Sequence, residues 1–251
     1  MIQTSNDYWT LNKFILKINN LLKEDDPLNN LNTDENALCL IEHICISIVK
    51  ARRNESKIDE TTETGMEILN YKGLTGKKTR HLYNNLLSMK DWNYLEIGTF
   101  YGANIISVAK TYGLHKDSKL YCIDPWEDYD DYPEYKNEQP NIYNTFIDNI
   151  EKSGQKNKII INRGYSNKEI LKFDDNFFDI IYIDGNHEPE YVLEDAVLSF
   201  RKLKQNGIMI FDDYGWGGPD LTKKGIDGFL SGYHKRITYL GEKNTQVFIK
   251  K

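Results

Sequence analysis

The chain has 251 residues, of which 39% are hydrophobic, and this length and composition suit one folded domain with an additional segment. Its formal net charge of −6 argues against a general nucleic-acid-binding or anionic-membrane surface. No apolar run is long enough to span a bilayer, and the N-terminus lacks the basic start and apolar stretch of a signal peptide. We therefore expect a cytoplasmic protein that binds neither nucleic acid nor membrane.

Two helices are predicted in the first 73 residues, which we interpret as an N-terminal helical extension. Apolar residues repeat at helical spacing over residues 8–23 and again over residues 34–53. The second helix is apolar around most of its circumference, so another surface must cover it. Packing on the main domain is slightly favoured, and homo-oligomer formation through these helices is the alternative. A polar linker over residues 54–64 follows them.

The three cysteines predict buried free thiols. Cys39, Cys45 and Cys122 are odd in number, lie in apolar surroundings and lack CxxC spacing. These properties disfavour a disulfide or a zinc site.

A helix with a basic end is predicted over residues 77–89, in which Arg80 and His81 belong to the basic group. The simplest interpretation is a solvated helix end. Because this helix leads directly into the strand described next, its basic side chains could instead lie near a carboxylate.

Residues 93–110 predict a strand, a glycine turn and a helix. Residues 94–97 form an apolar run, a helical pattern begins at residue 103, and Gly98 and Gly102 lie at the turn. Glycines without a β-carbon let a ligand approach the backbone, and a helix N-terminus directs free N–H groups at it. A dinucleotide turn would have glycine where Phe100 stands, which argues against a pyrophosphate. A turn without any ligand is the alternative.

A second strand is predicted over residues 119–123 and ends at Asp124. An acidic residue at this position can accept hydrogen bonds from both hydroxyls of a ribose. Its alternative role is to form the turn before Pro125. The acidic and aromatic segment that follows, residues 126–143, is either a functional lid or a mobile loop.

A third strand, residues 158–161, follows a helix over residues 141–153. It leads to Gly164, Tyr165 and Ser166, and by position Tyr165 and Ser166 could border an adenine ring.

Three aspartates follow two further strands. Residues 178–183 form a buried strand that ends at Asp184, and a helix that opens at Glu188 and Pro189 continues to about Gly207. Residues 208–211 form the next strand, which is closed by Asp212 and Asp213. Carboxylates at the ends of adjacent parallel strands repel unless they are protonated or share a cation such as Mg²⁺, Mn²⁺ or Ca²⁺. Helix caps and turns are the alternative roles.

The chain resembles a known family through three segments, YLEIGTFYGA, CIDPW and IDGNHEPEYVLEDAVLSFRKLKQNGIMIFDDY. These segments look like those of O-methyltransferases that depend on S-adenosylmethionine (AdoMet) and are related to macrocin O-methyltransferase and, more distantly, to catechol O-methyltransferase. The resemblance covers residues 74–251. It implies an α/β fold with a doubly wound, seven-stranded class I methyltransferase (Rossmann-like) sheet, whose last antiparallel pair is residues 237–240 and 245–250.

The same resemblance implies a cofactor site and a metal site. The residues expected to bind AdoMet are Glu96, Gly98, Thr99, Gly102, Asp124, Trp126, Tyr165, Ser166 and Asp184. The residues expected to bind Mg²⁺ or Mn²⁺ are Asp184, Asp212 and Asp213. The expected acceptor is a hydroxyl group of a small molecule, such as a sugar.

His187 is the expected general base. Some relatives have an aspartate two residues after the first metal ligand, where this chain has Asn186, and others have a histidine three residues after it, where this chain has His187. A neutral imidazole can accept the proton of a hydroxyl group. A capping or packing role is the alternative. Two rival functions remain, an iron-dependent oxygenase-like relative that uses Asp184 and His187, and an inactive AdoMet-binding module.

Overall fold

Seven strands form one sheet in the computed structural model, which describes residues 91–110, 113, 115–129, 135–243 and 245–251. The strands are β1 Asn93–Ile97, β2 Lys119–Asp124, β3 Ile159–Arg163, β4 Phe178–Ile183, β5 Leu203–Phe211, β6 Thr238–Lys243 and β7 Gln246–Lys250. Their order is β3-β2-β1-β4-β5-β7-β6, in which β1 to β5 are parallel and β7 is antiparallel to both β5 and β6. The doubly wound, seven-stranded α/β sheet predicted from the sequence is confirmed.

Five α-helices connect these strands within the described ranges. They are α1 Ala103–Lys110, α2 Gln139–Ser153, α3 Ser166–Glu169, α4 Pro189–Lys202 and α5 Thr222–Tyr233, with short 3₁₀ turns at Lys156–Lys158 and Ile170–Lys172. In this part of the chain no helix is both long and apolar enough to cross a membrane. The predicted N-terminal helices, the basic helix with Arg80 and His81, and two of the cysteines, Cys39 and Cys45, lie outside the described residues.

The hydrophobic core has one layer on each side of the sheet. Alternate strand residues such as Tyr94 and Tyr182 join residues of α1 and α2 in one layer, and Leu95 and Ile181 join residues of α4 and α5 in the other. Cys122 is a buried free thiol in the first layer, as the sequence predicted. Burial raises the pKa of this thiol well above its ordinary value, which disfavours a reactive thiolate.

Helix α5 was not predicted. Its sequence contains three glycines, at positions 225, 228 and 232, which lower helix propensity. A β-carbon at Gly225 would lie 2.6 Å from the carbonyl oxygen of Pro189, so the glycine permits close packing of α5 on α4. A tertiary contact therefore outweighs the local preference.

Several boundaries also differ from the prediction. Helix α4 ends at Lys202, and β5 begins at Leu203 rather than at Ile208, so that Gly207 lies inside the strand. The pairing of β5 with β4 changes register along the strand: Leu203 pairs with Phe178, whereas Ile208 pairs with Ile180. Helix α2 begins two residues earlier than predicted, with a proline in its first turn, and shortens the expected loop.

Candidate active site

The carboxyl ends of β1, β2, β4 and β5 meet at one edge of the sheet. The ladder of backbone hydrogen bonds continues past the strands, because the Asp184 N–H donates to Ile97 at 2.8 Å and the Asp212 N–H donates to Ile183 at 2.9 Å. Ligands of open α/β sheets bind at this edge. The predicted site residues therefore converge on one region.

The two predicted turn glycines permit contacts within the protein. Gly98 has φ of +82°, and a β-carbon there would lie 1.8 Å from the carbonyl oxygen of Asp184. Gly102 has φ of +85°, and a β-carbon there would lie 2.6 Å from the Phe146 ring. Both glycines are therefore required by contacts with the loop after β4 and with α2, and the predicted approach of a ligand to this turn stays a prediction.

Asp124 holds the turn after β1. Its carboxylate accepts three backbone hydrogen bonds at 2.8–2.9 Å, from Thr99, Phe100 and Trp126. Phe100 and Trp126 have φ of 52° and 44°, a conformation that bulky residues rarely adopt. Burial raises the pKa of Asp124, and the three N–H donors oppose that shift. The carboxylate therefore stabilises a strained turn, whether or not it also binds a ribose.

Trp126 belongs to the core. Its side chain is 2% exposed, stacks on Phe146 with ring centroids 4.9 Å apart, and donates its Nε1–H to the carbonyl oxygen of Phe100. Packing therefore already covers the indole, and the predicted contact of Trp126 with the cofactor stays a prediction.

Glu96 lies beneath the turn and is 1% exposed. Its Oε2 atom accepts hydrogen bonds from the Tyr94 hydroxyl at 3.0 Å and from the Asn104 amide at 2.7 Å. These bonds connect β1 to α1, while the predicted contact of Glu96 with the methionine half of AdoMet stays a prediction. The adjacent predicted residue Thr99 is also buried.

Tyr165 and Ser166, the residues predicted to border an adenine ring, lie at the end of β3 and differ in their surroundings. Tyr165 is 46% exposed, whereas the Ser166 side chain hydrogen-bonds to Asp195 of α4. The next residue, Asn167, was missed: its Oδ1 atom is buried and has no hydrogen-bond partner among the described residues. A buried amide oxygen of this kind favours a bound donor. Its signal in the sequence was only its position next to Tyr165 and Ser166.

Asp184, His187 and Asp213 form a compact cluster. Each offers one ligand atom, and these atoms all lie within 4.8 Å of one another. His187 Nε2 lies 3.2 Å from Asp213 Oδ2. The Trp216 ring stacks on the imidazole with centroids 4.3 Å apart, which fixes the plane of the His187 ring.

Asp212, the other predicted metal ligand, is 8% exposed and lines the same small cavity as Asp184, His187 and Asp213. Its Oδ2 atom accepts the Tyr182 hydroxyl at 2.7 Å, and its Oδ1 atom accepts the Asp213 N–H at 2.9 Å. Gln246 of β7 donates in turn to the Tyr182 hydroxyl at 2.6 Å. Two of the three predicted aspartates thus form a cluster with His187, while Asp212 lies beside them with its carboxylate hydrogen-bonded to Tyr182.

Comparisons with known proteins agree with this geometry. Residues 95–214 match the family model described as a methyltransferase domain. This match indicates a methyltransferase domain over residues 95–214. The uncharacterized protein R132 of Acanthamoeba polyphaga mimivirus is 27% identical to the chain over 150 residues. That alignment covers 53% of this chain and 58% of R132, less than two thirds of its length.

Two solved structures illustrate the fold of the methyltransferase domain. The O-methyltransferase TomG from Streptomyces achromogenes, solved in complex with SAM, has a TM-score of 0.51 and 16% identity over 77% of this chain and 90% of that chain. A putative caffeoyl-CoA O-methyltransferase from Staphylococcus aureus has a TM-score of 0.51 and 17% identity over 84% of this chain and 99% of that chain. At these identities the likeness concerns the fold.

The loop after β4 also contains Asn186, which occupies the position of the base in some relatives. The Asn186 side chain accepts the Glu188 N–H at 2.7 Å, so it caps the approach to α4. This role agrees with the expectation that Asn186 is not the base.

Asp195, which the sequence reasoning missed, is 4% exposed on α4, and burial raises its pKa to about 7.

Proposed function

We propose that the methyltransferase domain transfers a methyl group from AdoMet to a hydroxyl group of a small molecule, with a divalent cation bound at Asp184 and Asp213. The observation that carries this proposal is the cluster of Asp184, His187 and Asp213 beside the glycine turn. Gly98 contacts the backbone of Asp184, so the turn and the cluster form one continuous surface. TomG, which has the same fold, is an O-methyltransferase solved with SAM.

The polar groups at this edge of the sheet suit both AdoMet and a divalent cation. The buried Asn167 Oδ1 atom can accept a hydrogen bond from an adenine amino group, and the half-exposed Tyr165 ring borders the same position. Two carboxylates within 4.8 Å of each other are suitable ligands for a divalent cation, and His187 lies beside them. AdoMet would supply a sulfonium methyl group, and the cation would lower the pKa of the acceptor hydroxyl.

The chain's own contribution would be to position the reactants and to receive a proton. In the overall reaction, the bond between sulfur and the methyl carbon breaks, a bond between carbon and the acceptor oxygen forms, and the hydroxyl proton is released. An acceptor with a second oxygen beside the reacting hydroxyl, such as a sugar or a catechol, would suit a cation held by few protein ligands. His187 can take the proton only through Nε2, because Nδ1 is buried.

A transfer assay tests the proposal. The full chain is incubated with AdoMet, Mg²⁺ or Mn²⁺ and a library of catechols, phenols and sugars, and formation of S-adenosylhomocysteine is measured. We expect an acceptor-dependent product that is lost with EDTA and restored by added cation. Asp213→Asn should need more cation, whereas Asp220→Asn, an exposed carboxylate in the same loop, should behave as the parent.

Full transfer in excess EDTA would remove the exchangeable cation from the proposal. AdoMet binding without transfer to any acceptor would favour the inactive binding module.

The oxygenase-like rival gains one supporting observation, because a histidine beside two carboxylates is a donor set that also suits Fe²⁺. Transfer that proceeds equally under nitrogen and in air, without added iron, would exclude this rival.

A further inference from the structure

We propose that a groove lined by Arg201, Arg236 and Lys251 binds a small anion that carries phosphate groups. This groove, which we call the basic groove, lies at the edge of the sheet opposite the candidate active site. Its residues belong neither to the predicted AdoMet site nor to the Asp184 cluster, so the basic groove is a separate site from that of the proposed methyl transfer.

The fold brings the three cations together at the amino ends of β4 and β5. Arg201 lies in the last turn of α4, just before β5, while Arg236 lies between α5 and β6 and Lys251 follows β7. Because β7 is antiparallel to β5, the end of β7 lies beside the beginning of β5. Two backbone hydrogen bonds fix Lys251 there: its N–H donates to Gly207 at 3.0 Å, and its carbonyl oxygen accepts the Asn206 N–H at 2.9 Å.

The two arginines have hydrogen-bond donors to offer. Within the described part of the chain, neither guanidinium group donates a hydrogen bond or forms an ion pair. A guanidinium group presents its N–H donors as a planar fork that matches two oxygens of a phosphate group. Two such forks at one groove therefore favour a ligand with several anionic oxygens.

The Phe200 ring holds two of the cations in place. The guanidinium carbon of Arg236 lies 5.1 Å from the ring centroid, and Lys251 Nζ lies 4.9 Å from the same centroid. Lys251 Nζ also donates to the carbonyl oxygens of Phe200 and Leu203, at 2.8 and 2.6 Å. Cations that are already ordered lose less freedom when a ligand binds. Lys251 would therefore supply charge to the groove, whereas the arginines would supply donors.

The charges of the basic groove are not balanced. Its lining contains three cationic side chains and one carboxylate, Asp175. Asp175 is already paired with Lys202 at 2.8 Å, a contact that lowers the pKa of its carboxyl group. Burial, and to a smaller extent the charge of Arg236, lowers the pKa of Lys251. A bound anion would offset this repulsion between neighbouring cations.

Size and net charge favour a small ligand. The basic groove has a volume of about 400 Å³, which lies within the range of sites for small molecules. Asn176 and Gln205 add amide groups to its lining, and these could contact an uncharged part of the ligand. A nucleic acid would need positive charge over a longer surface, and the net charge of −6 opposes such an interaction. We therefore expect a phosphorylated small molecule.

Calorimetric titration of pyrophosphate into the full chain, without added divalent cation, tests the basic groove. Pyrophosphate presents several anionic oxygens without a base or a sugar. We expect saturable binding of one pyrophosphate per chain, unchanged by saturating S-adenosylhomocysteine. Arg201→Gln and Arg236→Gln should each weaken this binding by at least about fivefold. Lys152→Gln is the matched control, because it removes one positive charge from an exposed lysine of α2, on the other side of the sheet.

Arg236→Lys separates the geometry of the guanidinium group from its charge. This variant keeps the charge but loses the planar fork, so it should bind pyrophosphate more weakly than the parent and more tightly than Arg236→Gln. Because Arg236 also packs on Phe200, urea unfolding checks that each variant is folded. Arg201 is exposed at the end of α4, so Arg201→Gln still tests the groove if the Arg236 variants do not fold.

Three results would overturn the proposal. The first is a parent chain that does not bind pyrophosphate at millimolar concentrations, or arginine variants that bind it as tightly as the parent does. The second is displacement of pyrophosphate by S-adenosylhomocysteine, because pyrophosphate would then occupy the predicted AdoMet site. The third is tighter binding of a single-stranded oligonucleotide than of pyrophosphate, lost in the same arginine variants, because the ligand would then be a nucleic acid.

Discussion

Asp195 is a carboxyl group enclosed beneath the loops at the edge of the sheet. It is 4% exposed, its side chain hydrogen-bonds to Ser166, and a β-carbon at Gly185 would lie 3.3 Å from its Oδ2 atom. Burial raises its pKa to about 7, with a smaller contribution from the charge of Glu194. Because the folded chain holds a proton there that the unfolded chain releases at lower pH, stability should fall as pH rises from about 4 to about 7.

Asp195→Asn should remove this decrease in stability with rising pH. The neutral amide mimics the protonated acid, so the variant should gain free energy of unfolding relative to the parent between pH 5 and pH 8, by up to about 4 kcal/mol. Urea unfolding at several pH values measures the difference. Glu190→Gln, an exposed carboxylate on the same helix, is the control and should follow the parent. Identical pH slopes for Asp195→Asn and the parent would contradict the assignment.

Asp124 should contribute to folding as well as to ligand binding. Asp124→Ala leaves three backbone N–H groups without their acceptor, so we expect a loss of about 2–4 kcal/mol in unfolding free energy even without AdoMet. Asp128→Ala is a matched control, because that carboxylate is exposed and accepts the backbone N–H of Asn137, where Asp124 accepts three such groups. It should cost less than about 1 kcal/mol.

Unchanged stability of Asp124→Ala would show that the three hydrogen bonds do not hold the turn. The predicted ribose contact must be measured separately, by AdoMet calorimetry at a temperature where the variant is folded.

At the scale of elements, the junction between β1 and the loop after β4 determines the shape of the site. Gly98→Ala would place a β-carbon 1.8 Å from the Asp184 carbonyl oxygen, in addition to the cost of φ at +82°. We expect a loss of more than about 4 kcal/mol in unfolding free energy, or failure to fold.

Gly154→Ala is the matched control for this junction. It has φ of +72° at the end of α2, but no atom of another described residue lies within 4 Å of the added β-carbon. Its cost should be the conformational term of about 1 kcal/mol. Equal costs of the two substitutions, measured by urea unfolding, would refute the idea that contact with Asp184 requires the glycine.

The sequence predicted elements where local patterns decide them. The apolar run of β4, the proline at the start of α4 and the glycine turn after β1 are all local signals, and they lie where expected. Helix α5 and the beginning of β5 depend on contacts with distant residues, so the pattern did not reveal them. The same limit applies to side chains: Trp126 was placed at the correct strand end, but only the packing on Phe146 shows that its ring is buried.

At the site, the sequence predicted which residues lie near one another better than it predicted their hydrogen-bond partners. Asp184, Asp212 and Asp213 do follow adjacent strands. However, Asp213 has a left-handed backbone and Asp212 accepts a hydrogen bond from the Tyr182 hydroxyl, so these two consecutive aspartates have different surroundings. A hydrogen bond between strands is not visible in a spacing pattern. Asn167 was missed for a similar reason, because its importance lies in the burial of one amide oxygen.

At the scale of the whole molecule, the order of the strands brings the β1 turn, the end of β3 and the Asp184 cluster to one edge of the sheet. The acceptor pocket is not defined by these residues alone. The predicted N-terminal helical extension and the segment between β2 and α2 are the parts of the chain from which we expect this pocket to be built. Cytoplasmic location and homo-oligomer formation through the N-terminal helices stay predictions.

Calorimetric titration of AdoMet into the full chain tests the central claim most directly. We expect saturable binding of one AdoMet per chain in the parent. In Asn167→Ala we expect binding weaker by about 1–3 kcal/mol, because a buried hydrogen-bond acceptor for the adenine is removed. Asn176→Ala, which changes an exposed asparagine far from the strand ends that form the site, should bind as the parent does. A parent chain that binds neither AdoMet nor S-adenosylhomocysteine would contradict the account.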